Sequence, residues 1–301
     1  MLETVNNCCF VYNPQHDRVL REYYLYCITL FKTVCANSKI KANFLFGDYQ
    51  FPTVNNNRNI RVDIQHEHTL VKPGGRGSEG HPLGKISFQG SSYLVRIDRL
   101  DYFNSVDIII DYSQPNAFNV QSSGLFDQYS KKSIYIAPLI FDVQKPTFKN
   151  KLYNCATTFI NTQEPRRKKL LEEIINKNFN SINISNRFSK KELLSLYNDF
   201  KILINIHQTD HHDTFEELRV LSALLNGMLV VSENSPLKDL IPYNNFVIWA
   251  NYTNIVDTAK LISDNYERYW HNTFTSAFSV KMNEIDKNNL LTITNKLKEF
   301  E

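Results

Sequence analysis

Residues 201–236 read KILINIHQTDHHDTFEELRVLSALLNGMLVVSENSP and decide the fold class. An apolar strand runs into a polar loop with three histidines, a helix follows, and after Gly227 a second apolar strand ends in Ser-Glu-Asn-Ser-Pro. Strands that alternate with helices predict right-handed βαβ units and a parallel sheet. In open α/β sheets, ligands bind beyond the carboxyl ends of the strands, which is where these polar residues collect. The stretch therefore predicts both a fold class and a ligand site.

The same alternation of strands and helices extends in both directions along the chain. Two α/β patterns flank a polar stretch at 141–153 that contains Pro146. We therefore predict an α/β protein with one domain at 1–150, a second at 151–275 and a C-terminal helix at 276–301.

Composition limits the classes of function. The chain has 301 residues, of which 42% are hydrophobic and 22% charged, as in globular proteins with a sizeable core. The net charge of +3 is too mild to predict nucleic-acid binding, which calls for a strongly basic face. No apolar run reaches the length of a membrane span, no signal peptide is visible, and five cysteines without a CxxC pattern indicate free thiols. We expect a cytoplasmic protein with at most a peripheral membrane contact, and the sequence leaves its oligomeric state open.

Two helices begin with the sequence pattern of a capping box. Ser189 is followed by Glu192, and Thr214 is followed by Glu217, each at the spacing that lets the two residues cap the helix reciprocally. The helix after Thr214 has a second interpretation, because a helix N-terminus also binds phosphate. Glu216 and Glu217 are adjacent acids, so one of them could cap while the other accepts the hydroxyls of a ribose. Arg219 is expected to form a structural ion pair with one of these glutamates.

The pattern TFEELRVLSALLNGMLVVSE resembles the carboxyl-terminal nucleotide-sugar domain of GT-B glycosyltransferases of the group-1-like branch. The resemblance covers about residues 155–265, and the positions that match the frame are Ala223, Gly227, Val230, Val231 and Ser232. It implies two Rossmann-like domains that face each other across a cleft, with the C-terminal helix packing back on the first. It also implies a nucleotide-diphosphate sugar as donor substrate, no cofactor, and a glycan or lipid-linked acceptor such as a bacterial surface glycan.

One motif of the family is absent. Many retaining members carry two glutamates eight positions apart, and in this frame they would fall at Thr214 and Ser222. Glu216 or Glu217 must therefore serve in their place, and both inversion and retention stay open.

The resemblance also indicates which residues bind the donor. A basic residue after the first strand of the domain often meets the diphosphate, which points to Arg166 or Arg167; a solvated basic helix face is the alternative. The other predicted donor-binding residues are His207, Thr214, Glu216, Glu217, Ser232, Asn234 and Ser235. No metal is predicted, because the histidines lack a fixed helical metal-ligand frame.

A general base would come from the first domain, by the same resemblance. His66, Glu67 and His68 lie at a predicted strand end just before the glycine-rich stretch 74–90, and we predict that the base is among these three. Two other functions stay open: a nucleotide-sugar epimerase or hydrolase on the same fold, and a non-catalytic protein that binds sugar nucleotides or assists assembly.

Overall fold

The computed structural model describes residues 1–15, 18–48, 56–75, 82–185 and 187–301. They form two compact units. Unit 1 comprises 1–138 together with 286–301, and unit 2 comprises 139–285.

Unit 1 is built on a six-stranded sheet of order β1-β2-β3-β4-β8-β9, in which only the pair β1–β2 is antiparallel. A separate antiparallel sheet of order β5-β7-β6 precedes β8 in the chain. The elements are β1 (Leu2–Val5), β2 (Cys8–Val11), α1 (Arg21–Cys35), β3 (Ala42–Phe46), β4 (Arg58–Gln65), β5 (Leu70–Val71), β6 (Gly84–Phe88), β7 (Ser91–Val95), α2 (Leu100–Asn104), β8 (Ile108–Asp111), α3 (Gln114–Ser122), α4 (Asp127–Lys132) and β9 (Ser133–Tyr135).

Unit 2 is built on a five-stranded, fully parallel sheet of order β11-β10-β12-β13-β14. Its elements are β10 (Tyr153–Thr157), α5 (Pro165–Asn176), β11 (Ser181–Asn183), α6 (Lys190–Asp199), β12 (Phe200–Asn205), α7 (Glu217–Leu225), β13 (Leu229–Glu233), β14 (Ile248–Ala250), α8 (Ile255–Asp264) and α9 (Tyr266–Thr273). The last helix, α10 (Ser276–Leu297), begins in unit 2, and its residues from 286 onward belong to unit 1. Each unit thus has the mostly or fully parallel sheet and the helices of a Rossmann-like domain, which confirms the prediction of an α/β protein with two such domains.

The central strands of unit 2 follow from their apolar runs. Every residue of β13 is buried, and in β12 only Lys201 is partly exposed. Strands covered by helices on both faces read as continuous apolar segments, whereas a sheet with one wet face alternates.

The side-chain amide of Asn289 helps to anchor the end of the chain within unit 1. The side chain of Asn289 accepts a hydrogen bond from the backbone N–H of Ala137 at 2.9 Å and donates to its carbonyl at 2.8 Å. It also donates to the hydroxyl of Tyr26 at 2.8 Å. Residues 286–301 are thereby tied to the segment that follows β9.

The two predicted capping boxes have different outcomes. The box of Ser189 and Glu192 is confirmed at the start of α6, with both reciprocal hydrogen bonds present. The box of Thr214 and Glu217 is wrong, because α7 begins only at Glu217 and no side chain caps it. Phe215 explains the later start. Its ring is buried against the rings of Tyr243 and Trp249, and this packing favours a non-helical backbone before Glu217.

Gly227 ends α7 as predicted, with a φ of +69° that favours glycine. Among the described residues, no helix is both long and apolar enough to cross a membrane.

Candidate functional site

The carboxyl ends of β12, β13 and β14 meet at one edge of the sheet of unit 2. Asn205 lies opposite Ser232, and Glu233 lies opposite Ala250. The loop 206–216, the residues after β13 and the start of α5 all contribute side chains there. This edge gathers the residues predicted to bind a donor.

Arg166, at the start of α5, is held by two carboxylates. Its Nη1 and Nη2 donate to both carboxylate oxygens of Glu233 at 2.9 and 2.6 Å, and its Nε lies 2.5 Å from Oδ1 of Asp210. The ring of Tyr252 stacks 4.1 Å from Cζ, and the Tyr252 hydroxyl donates to the Arg166 carbonyl at 2.8 Å. The charge of Arg166 is therefore already compensated within the protein.

Glu233 connects this arginine to the histidine loop. Besides Arg166, it accepts a hydrogen bond from the backbone N–H of His207 at 3.1 Å, and its Oε2 lies 3.6 Å from Nδ1 of that histidine. Burial acts to raise the pKa of Glu233, but Arg166 and His207 outweigh it and the pKa is lowered. In the opposite sense, burial acts to lower the pKa of Arg166, but Glu233 and Asp210 outweigh it and the pKa is raised. Arg166, Glu233, Asp210 and His207 therefore form one network of ion pairs and hydrogen bonds.

Arg167, the next residue, is in the opposite situation. Its side chain is 5% exposed, and Cζ lies 4.9 Å from the centre of the Phe159 ring. Nε is buried without a hydrogen-bond partner, and the guanidinium forms no ion pair with any residue in the described ranges. Burial and the neighbouring Arg219 lower the pKa of Arg167 to about 10, although the charges of Glu216 and Glu164 act in the opposite direction, so it stays protonated at neutral pH. A buried cation that no carboxylate contacts directly is costly, which makes Arg167 the strongest indication of a ligand at this edge.

Arg219 does not form the predicted ion pair with a glutamate. Its Nη1 donates instead to Oδ1 of Asn205 at 2.9 Å, and Nδ2 of that asparagine donates to the Ser232 hydroxyl at 2.9 Å. Arg219 lies two positions into α7, where its side chain bonds to the last residue of β12 instead of to a glutamate. Two guanidinium groups, those of Arg167 and Arg219, thus lie close enough for one to lower the pKa of the other.

The two adjacent glutamates differ in exposure. Glu217 is fully buried and accepts a hydrogen bond from the Tyr243 hydroxyl at 3.1 Å. Glu216 is partly exposed and acts to raise the pKa of Arg167, so it lies near that guanidinium. Thr214 is buried in the loop before them.

The three predicted residues after β13 also differ. Ser232 is fully buried in its bond with Asn205, and the Ser235 hydroxyl donates to the carbonyl of Asp213 at 2.5 Å. Asn234 is exposed and pairs with Asn251 through its Nδ2 at 2.9 Å. Ser232 and Ser235 are therefore buried beneath this edge of the sheet, and Asn234 lies exposed on its surface.

The histidine loop is folded on itself. His207 is buried, with Nδ1 3.5 Å from Asp213 as well as near Glu233, and the Thr209 hydroxyl lies 2.9 Å from Nδ1 of His212. In the part of the chain that the structure describes, no group of three His, Cys, Asp or Glu side chains could hold a metal ion.

The predicted base residues lie in unit 1, directly after β4. His66, Glu67 and His68 are each partly exposed, and Nε2 of His66 lies 3.3 Å from Oε1 of Glu67. The hydrogen bond from His66 lowers the pKa of Glu67, and the charges of His68 and Arg96 act in the same direction. Residues 76–81 of the glycine-rich stretch lie outside the described residues.

Sequence reasoning missed the residues that lock Arg166. Asp210 contacts it from the loop after β12, Glu233 from the end of β13 and Tyr252 from the segment after β14, and only tertiary structure brings them together. The burial of Arg167 could have been predicted from the sequence, because Arg167 lies three and seven positions before the apolar residues Leu170 and Ile174, which are buried. That spacing places Arg167 on the apolar face of α5.

Comparison with known proteins yields one curated relative at the level of sequence. A protein of Acanthamoeba polyphaga mimivirus, described as uncharacterised, is 35% identical over 133 residues, which are 43% of this chain and 46% of that protein. The match thus spans less than half the length of the relative. No protein-family model matches the chain.

Several solved structures are similar to the chain. Anabaena HepE in complex with UDP-glucose is 10% identical, with a TM-score of 0.45 over 92% of this chain and 80% of that chain. An alpha-glucosyltransferase in complex with UDP and a 13-mer DNA is 11% identical, with a TM-score of 0.43 over 89% and 84%. A glycosyltransferase from Rickettsia africae is 11% identical, with a TM-score of 0.36 over 93% and 84%. At these identities and TM-scores, function has to be argued from the residues of this chain.

Proposed function

We propose that the protein is a glycosyltransferase that takes its sugar from a nucleotide-diphosphate donor, bound at the carboxyl edge of the sheet in unit 2. The observation that carries this proposal is Arg167, a buried guanidinium that forms no ion pair among the described residues. A diphosphate would supply the missing anion. Charged hydrogen bonds of this kind are about twice as strong as neutral ones.

The surroundings of Arg167 favour an anion with more than one charge. Arg219 adds a second guanidinium, and the helices α5 and α7 both begin at this edge. The N–H groups of a first helical turn have no intrahelical partner and carry partial positive charge. In glycosyl transfer, negative charge develops on the leaving diphosphate, and fixed cations and dipoles stabilise it without a metal.

The residues at this edge divide into two groups. Arg166, Glu233 and His207 form the ionic network that fixes the loop after β12. Arg167 and Arg219 face the phosphates, and the partly exposed Glu216 is the acid placed to accept the hydroxyls of a ribose. Glu217 and Ser232 support them from the interior.

On the acceptor side, the proposed base is His66 together with Glu67. Nε2 of His66 lies 3.3 Å from Oε1 of the Glu67 carboxylate, which can orient the imidazole and stabilise it when it takes a proton from an acceptor hydroxyl. A general base of this kind typically contributes about 10²–10⁴ in rate. The acceptor class that we propose is a glycan or a lipid-linked sugar.

The test of the donor site is a calorimetric titration with UDP, GDP, ADP and CMP. We expect one of the diphosphates to bind, and Arg167→Met to weaken its binding about a hundredfold or more, the loss of about 3 kcal/mol that follows when a buried charge loses its partner. Lys168→Met is the matched control, because it removes one positive charge from an exposed position of the same helix. Equal loss in both variants, or no binding of any nucleotide by the wild type, would contradict the proposal.

Turnover separates this function from its alternatives. A transferase consumes the donor sugar rapidly only when an acceptor is present, whereas an epimerase or hydrolase turns it over alone. A protein that binds the nucleotide but shows no turnover with any glycan or lipid-linked acceptor would be a non-catalytic binding protein.

A further inference from the structure

The pairing of His66 with Glu67 requires a particular backbone. Neighbouring side chains in an extended strand point to opposite faces. Nε2 of His66 and Oε1 of Glu67 nevertheless lie 3.3 Å apart, directly after the last residue of β4. The chain must therefore bend at this point, and Glu67 is at a bend in the structure.

Three side chains hold the bend through its carbonyl groups. The Tyr112 hydroxyl donates to the carbonyl of His66 at 3.2 Å. Nε2 of Gln65 and Nδ2 of Asn116 donate to the carbonyl of Glu67 at 3.0 and 3.3 Å. They come from the end of β4, the segment after β8 and helix α3, so the bend is fixed from three directions.

Asn116 also holds the residue on the far side of the bend. Its Oδ1 accepts hydrogen bonds from the hydroxyl and the backbone N–H of Thr69, at 3.0 and 3.4 Å. The asparagine is 3% exposed, and its backbone N–H donates to the Ser113 hydroxyl that caps α3. One buried amide thus bridges Glu67 and Thr69 and ties both to the first turn of a helix.

We propose that Asn116 is a positioning residue that sets the geometry of the His66–Glu67 pair. It acts through the backbone, and the two side chains it positions are themselves partly exposed. Its effect on catalysis rests on the function proposed above, but its effect on the geometry of the pair does not. Active groups need support of this kind, because a misplacement of about 1 Å can cost about a hundredfold in rate.

The first experiment follows the ionisation of Glu67 by carboxyl-carbon NMR in the full chain, without any substrate. In the wild type, the hydrogen bond from His66 keeps the pKa of Glu67 below its ordinary value. We expect Asn116→Ala to move that pKa back towards the ordinary value, because the bend relaxes and the pair separates. Asn119→Ala is the matched control: Asn119 is also buried in α3, but its Nδ2 donates to the Thr69 hydroxyl at 3.3 Å and not to the carbonyl of Glu67.

A second variant covers the case in which Asn116→Ala does not fold. Tyr112→Phe removes only a hydroxyl, and we expect a smaller shift of the Glu67 pKa in the same direction. If neither variant that folds moves the pKa of Glu67, or if Asn119→Ala moves it as much, the positioning role is wrong.

The activity assay tests the link to catalysis. We expect Asn116→Ala to lower kcat about tenfold to a hundredfold and to shift its pH profile, while KM for the nucleotide sugar is unchanged. If the wild type has no transferase activity, the proposed function fails, and the NMR titration still decides the positioning role. A loss confined to KM for the donor would overturn the link.

Discussion

Arg167→Met should make the ligand-free protein more stable while it removes the donor site. The substitution keeps an unbranched apolar side chain against Phe159 but deletes a buried charge whose burial outweighs the attraction of Glu216 and Glu164. Most buried substitutions destabilise a protein, so a gain in stability here would be diagnostic of a cation kept for a ligand.

The size of the effect follows from the environment of the guanidinium. Burial, with the help of Arg219, lowers the pKa of Arg167 from 12.5 to about 10. Each unit corresponds to about 1.4 kcal/mol, so the charge costs the folded state about 3 kcal/mol. The lost contact of the cation with the Phe159 ring offsets about 1 kcal/mol of that. We therefore expect the free energy of unfolding to rise by about 2 kcal/mol.

Urea unfolding with and without UDP measures both effects. A ligand at about a hundred times its Kd stabilises the wild type by about 2.7 kcal/mol, and this gain should be missing in the variant. Lys168→Met, the exposed neighbour, should change stability by less than about 0.5 kcal/mol and keep the full gain from UDP. A variant at Arg167 that is less stable than the wild type and gains as much from UDP would refute the reasoning.

Further predictions concern the frame of each unit. Lys151 donates to the carbonyls of Tyr197 and Gly227, and burial followed by the charge of Lys149 lowers its pKa to about 7. Between about pH 7 and the ordinary pKa of 10.5, the unfolded chain therefore binds one more proton than the folded chain. The free energy of unfolding should rise with pH across this window. Lys151→Met should flatten this rise, as measured by chemical unfolding at several pH values. Gly227→Ala adds a Cβ 3.0 Å from Cβ of Pro146 at a φ of +69°. A positive φ alone costs an alanine roughly 1 kcal/mol, so with this close contact the free energy of unfolding, measured by thermal unfolding, should fall by more than that. Asn289→Ala removes three hydrogen bonds inside unit 1 and should lower the free energy of unfolding by about 2–3 kcal/mol, whereas a change below about 0.5 kcal/mol would show that the anchor is dispensable.

Much of unit 2 could be predicted from its sequence because local and tertiary preferences agree there. The apolar runs of β12 and β13 can only be buried strands, and the glycine after α7 is where a left-handed residue is needed. The edge that collects polar residues follows directly, since the carboxyl ends of parallel strands share one side of a sheet.

The details of the site could not be predicted because they depend on partners distant in the chain. The spacing of Thr214 and Glu217 satisfies a capping box, but the burial of Phe215 outweighs that local preference and delays the helix. Arg166 and Arg167 are equivalent as residue types, yet Glu233 lies 67 residues away and reaches only the first. The same holds for the bend at Glu67, which depends on an asparagine 49 residues further along the chain.

The most direct test of the donor site is a crystal structure of the protein grown with UDP. The account predicts that a phosphate oxygen lies within about 3 Å of the Arg167 guanidinium, at the edge where α5 and α7 begin. A nucleotide bound elsewhere in the chain, with no phosphate in contact with the Arg167 guanidinium, would contradict it.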